Sequence, residues 1–193
     1  GIAKATSGEQ KVVAVIGDST FTHMGMPGLL NAVYNSGDFV VVILDNRTTA
    51  MTGGQDHPGT GRTLLGEEAP ALEFARLAEA LGAGFVRKVQ AAELDAVEAA
   101  LRDAIDFSGP AVVIVEGPCV LQSRQREAPY VVDREACVAC GVCLQLGCPA
   151  ISAEEREGKR WPQIDALLCT GCGLCAQVCP VGAIVQEGDG GPT

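Results

Sequence analysis

Residues 11–58 read KVVAVIGDSTFTHMGMPGLLNAVYNSGDFVVVILDNRTTAMTGGQDHP, and their rhythm decides the fold. Lys11 to Ile16 and Phe39 to Leu44 are unbroken β-branched and apolar runs, and Met26 to Asn35 between them has helical spacing. Continuous rather than alternating apolar strands suit a parallel sheet covered on both faces. Outward from this stretch, Phe85 to Val89 and Ala111 to Glu116 are further runs of the same kind, with helical patterns over Ala71 to Leu81 and Ala92 to Asp106. In the last of these Leu94, Val97, Leu101 and Ile105 share one face. Strands alternating with helices make an α/β class with a parallel sheet. Ligands of such sheets sit beyond the carboxyl ends of the strands. That rule directs attention to a loop at Gly17 to Gly25 and to Asp45 to Pro70, whose 26 residues without periodicity read as a binding loop.

Both places carry oxygen chemistry. Gly17-Asp18-Ser19 follows the first strand and Asp45-Asn46 follows the second. An Asp on one loop and an Asn on another are hard ligands suited to Mg²⁺, which commonly keeps phosphate oxygens in its octahedron. Backbone N–H groups at Ser19 and Thr20 are placed to take phosphate, and Gly17 allows a close backbone approach. Gly-Asp and Asp-Asn pairs also form ordinary strand-end turns, so the residues alone leave both readings open.

Composition narrows the partners. The 193 residues carry 24 acidic and 14 basic side chains, a net charge of -10, so binding to a nucleic-acid backbone gets little support. The longest apolar runs, Val12 to Ile16 and Val40 to Leu44, fall far short of a membrane span. Nine cysteines are present, and eight of them lie between Cys137 and Cys179, leaving Cys119 apart as a buried or idle thiol. The expected organisation is an α/β domain over 1–118, a linker over 119–130 within the aperiodic Gly117 to Pro129 segment, and a cysteine-rich domain over 131–193.

The cysteines are spaced Cys137-x2-Cys140-x2-Cys143-x4-Cys148-Pro149 and Cys169-x2-Cys172-x2-Cys175-x3-Cys179-Pro180. Three thiolates two residues apart converge on one cluster, while the fourth, followed by Pro, turns to the neighbouring cluster. Cys137, Cys140, Cys143 and Cys179 would therefore hold one [4Fe-4S] cluster, and Cys169, Cys172, Cys175 and Cys148 a second. A third Cys at this spacing in both runs is surplus to a tetrahedral zinc site, which argues against zinc. Eight cluster thiolates imply a reducing, cytoplasmic setting rather than disulfides. The intervening Glu154, Glu155, Glu157, Lys159 and Arg160 read as a solvated hairpin. On these runs the second domain resembles a small α+β bacterial-type 2[4Fe-4S] ferredoxin module.

The stretch from Gly17 to Pro58, followed by that module, is similar to the thiamine-diphosphate-binding region of the indolepyruvate ferredoxin oxidoreductase large subunit. Ser19 and Asp45 stand where thiamine enzymes in general have Gly and Asn, and both departures are of this family's kind. The resemblance implies a parallel-sheet thiamine-diphosphate domain, incomplete at its N-terminus, joined to the ferredoxin module. It implies Asp18, Asn46 and the Thr48 carbonyl as Mg²⁺ ligands, with Gly17, Ser19 and Thr20 at the diphosphate. Thr49, Met51, Thr52 and Gly53 would form a loop over the cofactor, and His23 and His57 are candidate catalytic residues on site loops. Met24, Met26 and Met51 otherwise read as packing residues, and Phe74 with Leu81 as helix core. The implied reaction is oxidative decarboxylation of an arylpyruvate with coenzyme A, electrons passing through two clusters to an external ferredoxin. A pyruvate or general 2-oxoacid enzyme, or a pure electron carrier with a non-catalytic α/β domain, are the alternatives. The family's activating glutamate is expected from a missing N-terminal part of the subunit or a separate polypeptide, and a second, beta- or gamma-type subunit is a further expected partner.

Overall fold

Two strands, Phe39–Asp45 (β2) and Pro110–Glu116 (β4), carry the apolar content that needs burial from both sides, and they form the middle of the first sheet. Residues 2–5, 10–122, 127–156 and 158–188 are described in a computed structural model, which divides into two compact units, residues 1–122 and 123–193. Residues 123–126 of the expected linker, and Glu157, lie outside the described residues.

In the first unit a short helix, Ile2–Ala5 (α1), precedes Val12–Gly17 (β1). The chain continues through α2 (Asp18–Thr20), a π-helical turn (Phe21–Gly25) and α3 (Met26–Tyr34) into β2, and later through α4 (Phe74–Ala80), β3 (Phe85–Gln90) and α5 (Leu94–Asp106) into β4. The four strands pair in parallel, in the order β1-β2-β4-β3. Alternate residues of the central strands point to opposite faces. Phe39, Ile43, Val112 and Ile114 pack with Phe21, Leu29 and Phe74 on one face, and Val40, Val42, Ala111 and Val113 with Ala100 and Ala104 of α5 on the other. Each large aliphatic side chain so buried stabilises the fold by about 1.5–3 kcal/mol. No helix among the described residues is long and apolar enough to cross a membrane.

The parallel α/β fold expected from the strands is thus present, with five local corrections. Gly17 to Gly25 is not a loop: from Asp18 onward the chain is helical, with an extra residue in the turn at Phe21–Gly25 that sends the Phe21 ring edge-on against Phe74 at 6.0 Å. The first strand lacks cover on one of its faces. Val13 and Val15 of β1 pair in register with Val40 and Val42, yet stay 43% and 64% exposed because α5 lies over β2, β3 and β4. The buried stripe of α5 runs through Ala100 and Ala104, leaving Ile105 exposed. Met24 and Met51 are likewise exposed rather than packed, whereas Met26 packs against the core. The helix expected from Ala71 starts only at Phe74, since Leu72 N–H is tied to the Pro58 carbonyl at 2.9 Å.

In the second unit Tyr130–Val132 (β5) pairs antiparallel with Ile184–Gln186 (β8), and Ile151–Arg156 (β6) forms a hairpin with Lys159–Ile164 (β7). A 3₁₀ turn at Val142–Leu146 and helix α6 (Leu174–Gln177) deliver Cys143 and Cys175 to a core shared with Ile184.

Candidate functional site

Parallel strands bring their last residues to one edge, and here that edge collects charge. Asp18 follows β1, Asp45 ends β2, and Glu116 ends β4 in register with Asp45. Asp18 and Asp45 are each only 2% exposed. Burial pushes the Asp45 carboxyl up to about 6, and the Asp18 carboxyl beside it pushes the same way, against the Arg47 guanidinium and N–H. Arg47 reaches Asp45 at 3.2 Å and Glu116 at 2.7 Å, so one cation answers two of the three carboxylates. Asp18 has no such answer. Its Oδ1 accepts the Ser19 N–H at 2.7 Å, but Oδ2 is buried without a hydrogen bond.

That oxygen lies 3.2 Å from Nε2 of His57, whose ring is completely buried. Nδ1 of His57 accepts the Gly59 N–H at 3.1 Å, so a neutral ring carries its proton on Nε2, facing Asp18. The approach lacks hydrogen-bond geometry, and Nε2 too is left unpartnered. His23 is the opposite case: exposed on the π-helical turn, it donates from Nδ1 to the Ser19 carbonyl at 2.7 Å, which turns Nε2 away from that bond. The two histidines expected on loops at one site therefore differ: His57 belongs to the buried carboxyl group, and His23 is open to solvent.

The remaining predicted residues surround the same strand ends. Asn46 Oδ1 accepts the Thr48 N–H at 3.1 Å, and Thr48, 2% exposed, receives Gln122 Nε2 on its hydroxyl at 2.7 Å. Thr49, Met51, Thr52 and Gly53 form a turn closed by the Thr49 N–H to the Gln55 carbonyl, with Met51 wholly exposed. Gly17 is exposed in ordinary extended backbone, and a Cβ there would meet nothing within 4 Å. The fold does not require a glycine at this position, whereas a ligand seated against the backbone would.

A divalent cation with a diphosphate fits these residues on the chemistry present. Two buried carboxyls press on each other, one oxygen has no partner, amide and carbonyl oxygens flank it, and open space lies over Gly17. Sequence spacing marked Asp45 only as the residue before Asn46, and did not single out Arg47, Glu116 or Gln122. The sheet-edge rule would have found Asp45 and Glu116, both strand-terminal acids, but nothing in the sequence signals that Gln122 returns to Thr48.

In the second unit, Cys137, Cys140, Cys143 and Cys179 line one cavity of about 310 Å³, open mouth included, together with Pro162 and Pro180. Burial raises the Cys143 thiol above its ordinary range, and the neighbouring Cys140, Cys137 and Cys179 add to it. Cys175 is pushed up to about 11 by burial and by Cys172 and Cys169. Thiolates so crowded repel one another unless a cationic centre lies between them, and this is the donor set of an iron-sulfur cluster. Among the described residues no group of three or more His, Cys, Asp or Glu side chains converges as the ligand set of a single metal ion. Backbone N–H groups of Tyr130, Ala139 and Ala183 point at Cys169, Cys137 and Cys179 sulfurs at 3.2–3.5 Å.

The two runs share more than cysteines. Cys137 and Cys169 N–H groups donate to the carbonyls of Asp133 and Asp165, and each aspartate caps the same turn through Oδ1. The repeat is therefore Asp-x3-Cys-x2-Cys-Gly-x-Cys, legible in the sequence once the pair of aspartates is aligned. Left-handed backbone recurs at Gly141 and Gly173, and at Ala139 and Gly171, folding both loops around their thiols. Cys119 sits in the first unit, half-buried, with its N–H on the Asn46 carbonyl at 3.1 Å.

Comparison with known proteins matches residues 1–115 to the thiamine pyrophosphate enzyme, C-terminal TPP binding domain, and residues 130–186 to the 4Fe-4S dicluster domain. The chain is 47% identical over 190 residues to indolepyruvate oxidoreductase subunit IorA of Methanothermobacter marburgensis, which covers 97% of this chain and 30% of that protein. The corresponding subunit of Archaeoglobus fulgidus is 42% identical over 180 residues, 90% of this chain and 28% of the relative. The chain thus spans about three tenths of the length of these relatives. The 2-oxoglutarate:ferredoxin oxidoreductase from Magnetococcus marinus shares the fold over 61% of this chain and 44% of that one, with a TM-score of 0.54 and 19% identity.

Proposed function

The chain belongs to the thiamine pyrophosphate enzyme family and, over the part of their length it spans, to the indolepyruvate oxidoreductase IorA subunits, and from this we propose that it is the cofactor-holding and electron-carrying part of an arylpyruvate ferredoxin oxidoreductase. One observation carries the reading: the buried Asp18–Asp45 pair, with an orphaned Asp18 oxygen, lies at the strand ends beside the open space over Gly17. Asp18, Asn46 and the Thr48 carbonyl hold Mg²⁺, and Ser19 and Thr20 face the diphosphate. Thr49, Met51, Thr52 and Gly53 cover it. His57 is a positioning residue: its buried ring, fixed by the Gly59 N–H on Nδ1, stands with Nε2 3.2 Å from Asp18 Oδ2 and confines that carboxylate to the metal side. His23, open on the π-helical turn, is the histidine free to reach substrate.

Bound thiamine diphosphate supplies the carbanion chemistry that releases carbon dioxide from a 2-oxoacid. The protein's part is to fix the diphosphate through metal and amides, and to give electrons an exit. Cys137, Cys140, Cys143 and Cys179 hold one [4Fe-4S] cluster, and Cys169, Cys172, Cys175 and Cys148 hold the other. Coenzyme A takes the acyl group, an external ferredoxin takes the electrons, and the setting is the cytoplasm. The activating glutamate and a beta- or gamma-type subunit come from the rest of the enzyme.

The test is Mg²⁺-dependent thiamine diphosphate binding by the complete subunit, measured by calorimetry. Asp18→Ala is expected to abolish it with iron content unchanged. Undiminished binding in that variant overturns the assignment.

A further inference from the structure

Pro162 lines two cavities of the second unit at once: the thiol-lined one, and a concavity of about 580 Å³, open mouth included, formed with Val132, Arg134, Arg156 and Trp161. We propose that this concave face is the docking site of an acidic one-electron carrier, reached from the Cys137, Cys140, Cys143 and Cys179 side. The proposal rests on the cluster reading above and adds where electrons leave.

Charge selects this face. In the β6–β7 hairpin, directly opposed residues share a face and successive ones alternate. Glu154 with Trp161 and Arg156 with Lys159 are therefore on one side, and Glu155 with Arg160 on the other. Arg134 joins the first side, its guanidinium 4.0 Å from Glu154. Among the described residues of the hairpin and Arg134, three cations thus stand on this side against one carboxylate, in a chain whose net charge is -10. Glu154 is already engaged by Arg156 at 2.7 Å and by Gln163. Arg134 and Arg156 remain 59% and 49% exposed. Most of this surface repels an acidic protein, so a local reversal of sign beside one thiol-lined cavity orients such a partner as well as attracting it. Trp161, the chain's single tryptophan, supplies the amphipathic anchor common at interface centres. In the transfer the carrier gains one electron and the centre held by the thiols loses one, with no bond made or broken.

The experiment uses the 193-residue chain reconstituted with iron and sulfide, reduced, and mixed by stopped flow with an oxidised acidic ferredoxin over a range of salt. The wild type is expected to react fastest at low salt. Arg134→Glu with Arg156→Glu is expected to lower the second-order rate at least roughly tenfold at low salt and to flatten its salt dependence, the scale of electrostatic steering. Arg160→Glu, on the opposite face, is expected to leave the rate near the wild type. Equal loss from Arg160→Glu, or no loss from the double reversal, overturns the docking site. Should the double reversal not assemble its clusters, Arg134→Gln with Arg156→Gln is expected to give the same ordering, and its failure to do so overturns the proposal equally. Perturbation of Trp161 fluorescence by free coenzyme A but not by ferredoxin overturns it in favour of a nucleotide pocket. A chain that takes up no iron overturns the cluster reading itself, and with it this inference.

Discussion

Gly171→Ala offers a sharp test of how the second unit is built, because its counterpart in the other cysteine run is already alanine. Gly171 and Ala139 both adopt left-handed backbone, with φ of 75° and 56°. A Cβ on Gly171 would lie 2.5 Å from the Glu127 Cβ and 2.9 Å from the Ala128 carbonyl oxygen. Carbon atoms pack at about 3.5–4.0 Å, so the deficit is roughly 1 Å against backbone-anchored atoms that cannot rotate away. Overpacking of this kind costs about 1–3 kcal/mol, and a left-handed alanine about 1–2 kcal/mol more. The sum, about 2–5 kcal/mol, should lower the urea concentration at which cluster absorbance is lost by about 1 M or more. Ala139→Gly relieves the same backbone strain at the cost of chain entropy and should shift that midpoint little. The measurement is anaerobic urea titration of the two reconstituted variants beside the wild type. A Gly171→Ala protein as resistant as the wild type would refute the packing argument, and equal losses in both variants would refute the asymmetry.

The other predictions are independent of that loop. His57→Phe keeps an aromatic ring but strands the Gly59 N–H and removes the ring nitrogen beside Asp18, so Mg²⁺-dependent thiamine diphosphate binding by the complete subunit should weaken about 10–100-fold in calorimetry, with partial recovery in His57→Gln. Cys179→Ser should roughly halve the iron bound per chain, because one thiol-lined cavity loses a ligand, while Cys119→Ser should leave iron analysis unchanged. Asp38 is held below the ordinary carboxylate range by the Lys11 ammonium and the Gly109 N–H. Its folded value being the lower one, its contribution is complete above about pH 4 and is lost as acid titrates through the folded value. Asp38→Asn should therefore flatten the acid limb of a urea-midpoint profile, and an unchanged limb would contradict the pairing.

How far the sequence reaches depends on whether a signal is local. The β2 and β4 strands were legible because burial on both faces leaves them unbroken apolar runs, and the cysteine pattern because three of the four thiols of each proposed set lie within seven residues. The β1 strand reads just as apolar, yet its Val13 and Val15 stay exposed, since a strand's composition does not tell which helix reaches over it. Asp18 was marked by its place after a strand. Asp45 was noted in the same way, but Glu116 and Arg47 were not: they meet Asp45 only because β2 and β4 are adjacent, which the order of the strands in sequence does not say. His57 was picked out of a long aperiodic loop, but nothing local to that loop signals that its ring is buried against Asp18. The aspartates that cap each cysteine run sit 32 residues apart, as Cys137 and Cys169 do, so the repeat lies in the sequence, and the caps in space show what it is for.

The central claim is that a thiamine site held by Asp18 feeds electrons to clusters held by the eight cysteines. It is tested most directly by following the visible absorbance of the clusters in the complete enzyme, anaerobically, on addition of an arylpyruvate and coenzyme A. Bleaching should require both Mg²⁺ and thiamine diphosphate and should vanish in Asp18→Ala with its iron content intact. Bleaching that persists without thiamine diphosphate, or in that variant, would contradict the account.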